Sequence, residues 1–492
     1  MGVVVMSDIP IKYTQLFINN AFVNAISNKT FPVFNPATEE KIIDVAEAQK
    51  EDVDAAVAAA KKAFSRGSPW RKLDASERGK LINKFADLLQ RDSQYLANLE
   101  TLNSGKPLEA VVAELEVYIN ILRYYAGYCD KIHGNTVPVD GTGFALTKKE
   151  PVGVVAQIIP WNYPIGMAIW KLGPALCTGC TLILKPAEQT PLTALVLAAL
   201  TKEAGFPDGV VNVLPGYGPV AGEALCLHMD VRKVAFTGST DIGHKILEYS
   251  AHSNLKRVSL ELGGKSPLVI FDDADVDGAV NIAHAAIFEN HGQNCCAGSR
   301  TFVQSGIYDL FVKKAVEKAK ARKVGNPFDQ DVLQGPQIDK PSLEKILRMV
   351  ESGKQQGAKL ETGGSRVGSK GYFVEPTVFS NVKDGMTIAT DEIFGPVQSI
   401  LKFDTLDEVI ERSNNTQYGL AAGVITKDIN NALVFANAVE AGSVWINCYD
   451  YITPQTPFGG CKKSGFGKDL GPDSLDDYLE TKSINIMLPV KV

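Results

Sequence analysis

Val154-Val-Ala-Gln-Ile-Ile, Leu182-Ile-Leu-Lys, Val210-Val-Asn-Val-Leu and Lys233-Val-Ala-Phe are four short, almost continuous apolar runs, and between them lie helical patterns over 166–176, 193–203 and 220–227. A strand that is apolar on both sides has to be covered on both sides. Such strands alternating with helices therefore predict a parallel sheet with helices on each face, an α/β architecture of the nucleotide-binding type. Ligands of open parallel sheets sit beyond the carboxyl ends of the strands.

Those ends carry Pro160-Trp161-Asn162, Lys185-Pro186-Ala187-Glu188, Pro215-Gly216-Tyr217-Gly218 and Thr237-Gly238-Ser239. Gly216, Gly218 and Gly222 are spaced one residue too long for the usual dinucleotide fingerprint, and the spacing Gly238 to Gly243 lacks the lysine of a P-loop. Each alone reads equally well as fold punctuation or as a phosphate site. Together, on neighbouring strand ends, they point to a dinucleotide.

Upstream, alternating apolar residues from Leu16 to Phe34 predict small antiparallel strands as an N-terminal flap, and amphipathic patterns near 52–64, 75–89, 94–103 and 108–128 predict four packing helices. Downstream, a second strand and helix alternation starts with Pro267-Leu-Val-Ile-Phe and a helix over 277–288, for which Asp277 is the expected N-cap. That helix is expected to exit through Gly292 into Gln293-Asn294-Cys295-Cys296, where a thiol in a polar, glycine-flanked turn is a candidate nucleophile. The residues do not by themselves choose between Cys295 and Cys296.

Composition narrows the function class. With 492 residues, 22% charged and 45% hydrophobic, the chain has room for two or three globular domains. A net charge of -6 leaves no basic field for nucleic acid, so a small-molecule substrate fits better. Eight cysteines are too few for a disulfide scaffold in a chain of this length and read as reduced thiols. Met1 to Asp8 shows no basic leader, Met6 stands where a myristoylation motif has Ser or Thr, and no run is long enough to span a bilayer, so a cytoplasmic protein is expected. The six histidines show no metal spacing, and Cys177-Thr-Gly-Cys180 lacks a second pair, so no metal is expected. The lysines between 313 and 323 read as a solvated helical face.

Pro160-Trp-Asn-Tyr-Pro, Leu184-Lys-Pro-Ala-Glu, Phe236-Thr-Gly-Ser-Thr, Leu260-Glu-Leu-Gly-Gly-Lys-Ser-Pro, Gly292-Gln-Asn-Cys, Glu392-Ile-Phe-Gly-Pro-Val and Pro457-Phe-Gly-Gly stand in this order along the chain. In these motifs the chain resembles the NAD(P)-dependent aldehyde dehydrogenase superfamily over essentially its whole length. Ser68-Pro-Trp-Arg-Lys-Leu-Asp and Asn254-Leu-Lys-Arg-Val-Ser make it most similar to the animal cytosolic, retinal-type class 1 branch. The resemblance implies a Rossmann-like cofactor domain from 1–133 and 152–263, an α/β catalytic domain from 264–463, and a small β oligomerisation domain from 134–151 and 479–492. It also implies self-association to a dimer or tetramer.

The same resemblance assigns roles. Cys295 would be the nucleophile and Cys296 a packing thiol. Asn162, which on spacing alone reads as a turn residue, would hold the oxyanion with the backbone N–H of Cys295, and Glu261 would activate water for deacylation. Trp161, Lys185, Glu188, Gly218, Gly238, Ser239, Glu392 and Phe394 would hold NAD, the Glu188 carboxylate disfavouring a 2′-phosphate. Tyr163, Gly166, Met167, Trp170 and Glu289 would line an aldehyde tunnel closed by the 450–456 loop. Four positions depart from the family pattern. Glu289 replaces an apolar lining residue, Gly166 a bulkier one that would leave the entrance wider, and Asn294 a cysteine or other small residue; Lys468 replaces an arginine expected at a subunit contact with Arg257 and Glu480. They leave a second reading open, because the molluscan lens omega-crystallins resemble the same family and use its fold as a structural protein.

Overall fold

The computed structural model describes residues 9–490, so the reading of Met1 to Asp8 falls outside the described residues. The larger sheet has eight strands in the spatial order Gly465–Phe466, Arg257–Glu261, Lys233–Thr237, Val154–Ile158, Thr181–Lys185, Val211–Val213, Leu16–Ile18, Ala21–Val23. The five strands from Arg257–Glu261 to Val211–Val213 run parallel. Val154–Ile158 lies at the turning point: the next two strands in the chain extend the sheet to one side, and the two after them to the other. A parallel sheet leaves a crevice at such a reversal. Here the residues after Ile158 and Thr237, namely Pro160 to Asn162 and Gly238 to Ser239, face it.

The expected flap is separate only in part: Thr30–Phe34 pairs antiparallel with Lys41–Ala46 in a two-stranded sheet of its own. Leu16–Ile18 pairs antiparallel with Val211–Val213 and carries Ala21–Val23 outside it, so these strands finish the large sheet. The other edge is closed by a piece without a strand signature, Gly465–Phe466, antiparallel to Arg257–Glu261. The helices Lys50–Phe64, Ala75–Arg91, Ser93–Ser104 and Leu108–Tyr128 cover the sheet, with Phe85, Leu122 and Tyr125 buried in the core they share with the helix Pro164–Thr178.

A second sheet of seven strands has the order Lys359–Thr362, Thr377–Ser380, Val397–Phe403, Arg300–Gln304, Pro267–Ile270, Ala421–Ile425, Ser443–Ile446, all parallel except the first pair. A third, antiparallel sheet joins Leu479–Met487, Gly143–Pro151 and Thr136–Val137 and leaves Phe144, Ile486 and Met487 exposed.

Two local expectations are corrected. The helix Val276–Phe288 is capped by Asp275, whose carboxylate accepts from the Gly278 N–H at 3.2 Å, whereas Asp277 sits inside the first turn and pairs with Lys314 at 2.6 Å. The chain does not leave that helix at a single glycine. After Phe288 it makes a tight turn in which Asn290 (φ 45°) and His291 (φ 60°) are already left-handed before Gly292 (φ 71°). Only glycine fits the last position, because a Cβ on Gly292 would stand 2.0 Å from the Gly395 carbonyl oxygen.

Candidate active site

A cavity of about 610 Å³, a size suited to a small molecule, opens at the crevice and brings the two large sheets' loops together. Asn162, Thr237, Gly238 and Glu261 reach it from the first sheet; Glu289, Cys295, Cys296, Glu392 and Phe394 reach it from the second. Tyr163, Met167 and Trp170 line it from the start of the helix Pro164–Thr178.

The two adjacent thiols differ sharply. The Cys296 thiol is buried and donates to Asp450 Oδ1 at 3.2 Å and Asn294 Oδ1 at 3.3 Å. Its contact with Cys295, its burial and the Asp450 carboxylate together push it far above the ordinary thiol range, which keeps it a neutral, poor nucleophile. Cys295 is half-buried, and its one side-chain hydrogen bond is a long 3.8 Å contact to Asn294 Oδ1. Cys296 is thus more than packing, since it anchors the loop to Asp450.

Asn162 is buried and donates through Nδ2 to the Gln293 carbonyl at 3.0 Å, while its Oδ1 has no partner. The left-handed Asn290 completes this tie: its Nδ2 donates to the carbonyls of Asn162 (2.8 Å) and Gln293 (3.0 Å). The loop before Cys295 is therefore stitched to the strand end that carries Asn162. Sequence reasoning passed over Asn290, although an Asn directly before His-Gly was a signal for a left-handed turn. Beyond it, Gln293 Oε1 accepts from the Ile338 N–H at 3.0 Å and His291 is held between Gly335 and Pro336, so the loop is tied on both sides.

Glu261 ends the strand Arg257–Glu261, 6% exposed, with neither carboxylate oxygen hydrogen-bonded. Burial pushes its carboxyl well above the usual range; Asp469 adds to the rise, and Lys171 and Lys468 oppose it. An unpartnered carboxyl raised in this way can accept a proton from water at working pH. Lys171 and Asp469 form a buried ion pair, side chains 2% and 5% exposed, contributed by segments almost three hundred residues apart. Lys468 donates to the carbonyls of Gly459 and Gly460 under Glu261. It is not at the Arg257–Glu480 pair, which closes on itself at 2.8 Å. Gly459 has no room for a side chain, since a Cβ there would stand 2.3 Å from Glu261 Oε1.

At the other end, Thr237 presents a buried Oγ1 without a partner, and Gly238 carries no side chain in front of the helix Thr240–His252, whose N-cap Ser239 accepts from the Ile242 N–H at 3.4 Å. Lys185 is buried, its ammonium pushed down by burial, 2.9 Å from the Pro186 carbonyl and 3.7 Å from Glu188. Lys185, Glu188 and Gly218 lie outside the cavity wall; Gly218 opens a wide turn, Gly218–Gly222, ahead of the short helix Glu223–Leu227 where one continuous helix was expected. Glu392 Oε1 accepts from the Gly264 N–H at 3.0 Å, and Trp161 meets Phe394 edge to face at 5.4 Å.

Glu289 is exposed and lines the cavity at its entrance. Desolvation in that crowded mouth pushes its carboxyl up, Asp450 adds to this, and Arg322 opposes it. Gly166 does not widen the entrance. It is buried and off the cavity wall, and the Tyr118 ring fills the space a side chain would take, 2.6 Å from the place of a Cβ. Glu114, from a helix read only as packing, also lines the cavity.

Residues 22–484 match the model of the aldehyde dehydrogenase family. The chain belongs to that family. It is similar to human retinal dehydrogenase 2, with 57% identity over 98% of this chain and 94% of that protein. It is also similar to the mitochondrial aldehyde dehydrogenase of Mesocricetus auratus, with 58% identity over 97% of this chain and 96% of that protein. Among solved structures, the NAD+ complex of a Bacillus cereus aldehyde dehydrogenase matches with a TM-score of 0.95 at 50% identity, over 97% of each chain. The protein is thus an NAD-dependent aldehyde dehydrogenase. The residues present fit that cofactor: the buried Thr237 hydroxyl has no partner and Lys185 is a buried cation, groups of the kind that a dinucleotide's hydroxyls and phosphates engage. No helix among the described residues is long and apolar enough to cross a membrane.

Proposed function

We propose that this aldehyde dehydrogenase works through Cys295, with Asn162 and the Cys295 backbone N–H as oxyanion donors and Glu261 as the base for deacylation. The Cys295 thiolate adds to the aldehyde carbon, giving a thiohemiacetal whose oxygen is held by those donors. NAD, when bound, supplies the acceptor for the hydride that leaves this carbon. Glu261 then takes a proton from water as its oxygen adds to the thioester, and the acid departs with release of the thiol. The observation that carries the assignment is the contrast between the two thiols, Cys296 held neutral against Asp450 and Cys295 half-buried on the cavity wall that it shares with Asn162 and an unpartnered Glu261.

Lys185 and Glu188 would hold the adenosine ribose, Gly218, Gly238 and Ser239 the pyrophosphate end, and Trp161, Glu392 and Phe394 the nicotinamide half. The Glu188 side chain, 37% exposed and 3.7 Å from Lys185, supports NAD over its 2′-phosphate. Tyr163, Met167, Trp170 and Glu289 would receive the aldehyde. Residues 1–133 with 152–263 would act as the cofactor domain and 264–463 as the catalytic domain. The exposed apolar residues of the three-stranded sheet, Phe144, Ile486 and Met487, support self-association to a dimer or tetramer. Eight free cysteines support a reducing compartment, for which we propose the cytosol.

Cys295→Ala is expected to abolish NADH production across a panel of aldehydes while NAD still binds, and Glu261→Gln to give a burst of NADH without steady turnover. Retained turnover in Cys295→Ala would overturn the assignment. NAD binding without turnover in the unaltered protein would favour a structural role like that of the omega-crystallins.

A further inference from the structure

We infer that the entrance of this enzyme selects aldehydes that carry a cation, a quaternary or protonated amine, at the end remote from the carbonyl. The inference rests on the dehydrogenase reading, in which Cys295, Asn162 and Glu261 fix where the carbonyl must lie. The remaining wall then belongs to the substrate's far end.

Three carboxylates line that end: Glu114, Glu289 and Asp450. Among the described residues the one Lys or Arg on the whole cavity wall is Lys345, which belongs with Ser342 and Glu392 at the cofactor end. The two cations whose fields reach Glu289, Arg322 and Lys106, are already engaged. Lys106, 1% exposed, holds both Glu114 oxygens at 2.7 and 2.8 Å from beneath the Tyr163 ring. Arg322 donates to the Phe288 and Leu333 carbonyls at 2.8 and 2.6 Å and to no carboxylate. Glu289 is left without an ion-pair partner, and Asp450 is satisfied only by the Asn294 amide and the Cys296 thiol.

Desolvation pushes both the Glu289 and Asp450 carboxyls up, with Asp450 adding to the rise at Glu289 and Glu114 to the rise at Asp450. An arriving cation relieves this, whereas an aldehyde bearing a carboxylate or phosphate makes it worse. The rest of the wall is aliphatic, with Val117, Met167 and Ile452, and aromatic, with Tyr163, Trp170 and Tyr451, and aromatic faces attract a weakly hydrated ammonium. Trp170 packs edge to face on Phe458 at 5.3 Å. The substrate end thus combines apolar and aromatic walls with an unbalanced negative charge at its mouth.

The test compares 4-trimethylammoniobutanal with its neutral carbon isostere 5,5-dimethylhexanal, so that shape is constant and only charge differs. The cationic aldehyde is expected to have the higher kcat/KM by about ten-fold, and the preference to shrink as salt is raised. Glu289→Gln should reduce it by about three-fold, and Glu289→Lys should reverse it. Equal or better turnover of the neutral isostere, or a preference unmoved by Glu289→Lys and by salt, overturns the inference. Should a Glu289 variant fail to fold, the salt series on the unaltered enzyme decides. If no aldehyde is turned over, the dehydrogenase reading fails on its own account. The charge selectivity is then read from binding of 4-trimethylammoniobutanol against 5,5-dimethylhexanol to Cys295→Ala, where equal affinity overturns it.

Discussion

The buried pair of Lys171 and Asp469 offers the sharpest test of how Glu261 is tuned. Both side chains are almost wholly enclosed, so Asp469→Asn strands an ammonium and Lys171→Met strands a carboxylate. Removing one partner of such a pair costs about 3–5 kcal/mol, whereas removing both in favour of apolar residues costs little. The double variant Lys171→Met with Asp469→Leu should therefore be more stable than either single variant. The same two changes act on Glu261 in opposite senses. Asp469 raises its carboxyl and Lys171 lowers it. Asp469→Asn should let Glu261 ionise at lower pH, moving the rising limb of acyl-enzyme hydrolysis to lower pH; Lys171→Met should move it to higher pH. Stopped-flow measurement of thioester breakdown after the NADH burst, repeated across pH, reads the limb directly, and denaturant midpoints read the stability. Limbs that move together, or do not move while stability falls, would show that the pair braces the fold without tuning the base.

Gly292→Ala forces a Cβ against the Gly395 carbonyl at a left-handed position, and should yield little folded enzyme, as judged by soluble yield and NAD binding. His291 is neutral in the fold, since Nδ1 meets the Pro336 carbonyl at 2.8 Å and Nε2 accepts from the Gly335 N–H at 3.0 Å, and burial pushes it down to about 3 from 6.5. Between those values the unfolded chain binds a proton that the folded one refuses. The stability this ring supports is therefore complete above pH 6.5 and is lost as pH falls, by about 4 kcal/mol at pH 3, and His291→Gln should flatten that slope in urea titrations. Glu289→Phe should raise kcat/KM for an apolar aldehyde such as hexanal by about ten-fold, and an unchanged value would remove Glu289 from the substrate's path.

Much of this fold is legible in one dimension because parallel strands buried on both faces leave uninterrupted apolar runs, and the runs at Val154, Leu182 and Lys233 fall on observed strands. What stayed hidden has a common physical origin in contacts between distant segments. Gly465–Phe466 is two residues long and becomes a strand only because Arg257–Glu261 offers an open edge. Asp469 and Lys171 carry no local sign of burial, since each is tolerated only through the other. Glu114 reads as one more polar residue on an amphipathic helix until Lys106 turns it toward the cavity. Gly166 shows the converse error: its missing side chain suggests space, but Tyr118, from another helix, takes that space up.

The edge strand Gly465–Phe466 bears on how the enzyme is made. Glu261 leaves the ribosome long before Phe466, so the nascent cofactor sheet carries its proposed base on an open, unpaired edge through the synthesis of the entire second sheet. Competence therefore arrives late. A ribosome-bound chain ending before Gly465 would already hold the whole dinucleotide crevice, yet it would lack the strand that orders Glu261, so cofactor binding should precede hydrolytic competence during biosynthesis.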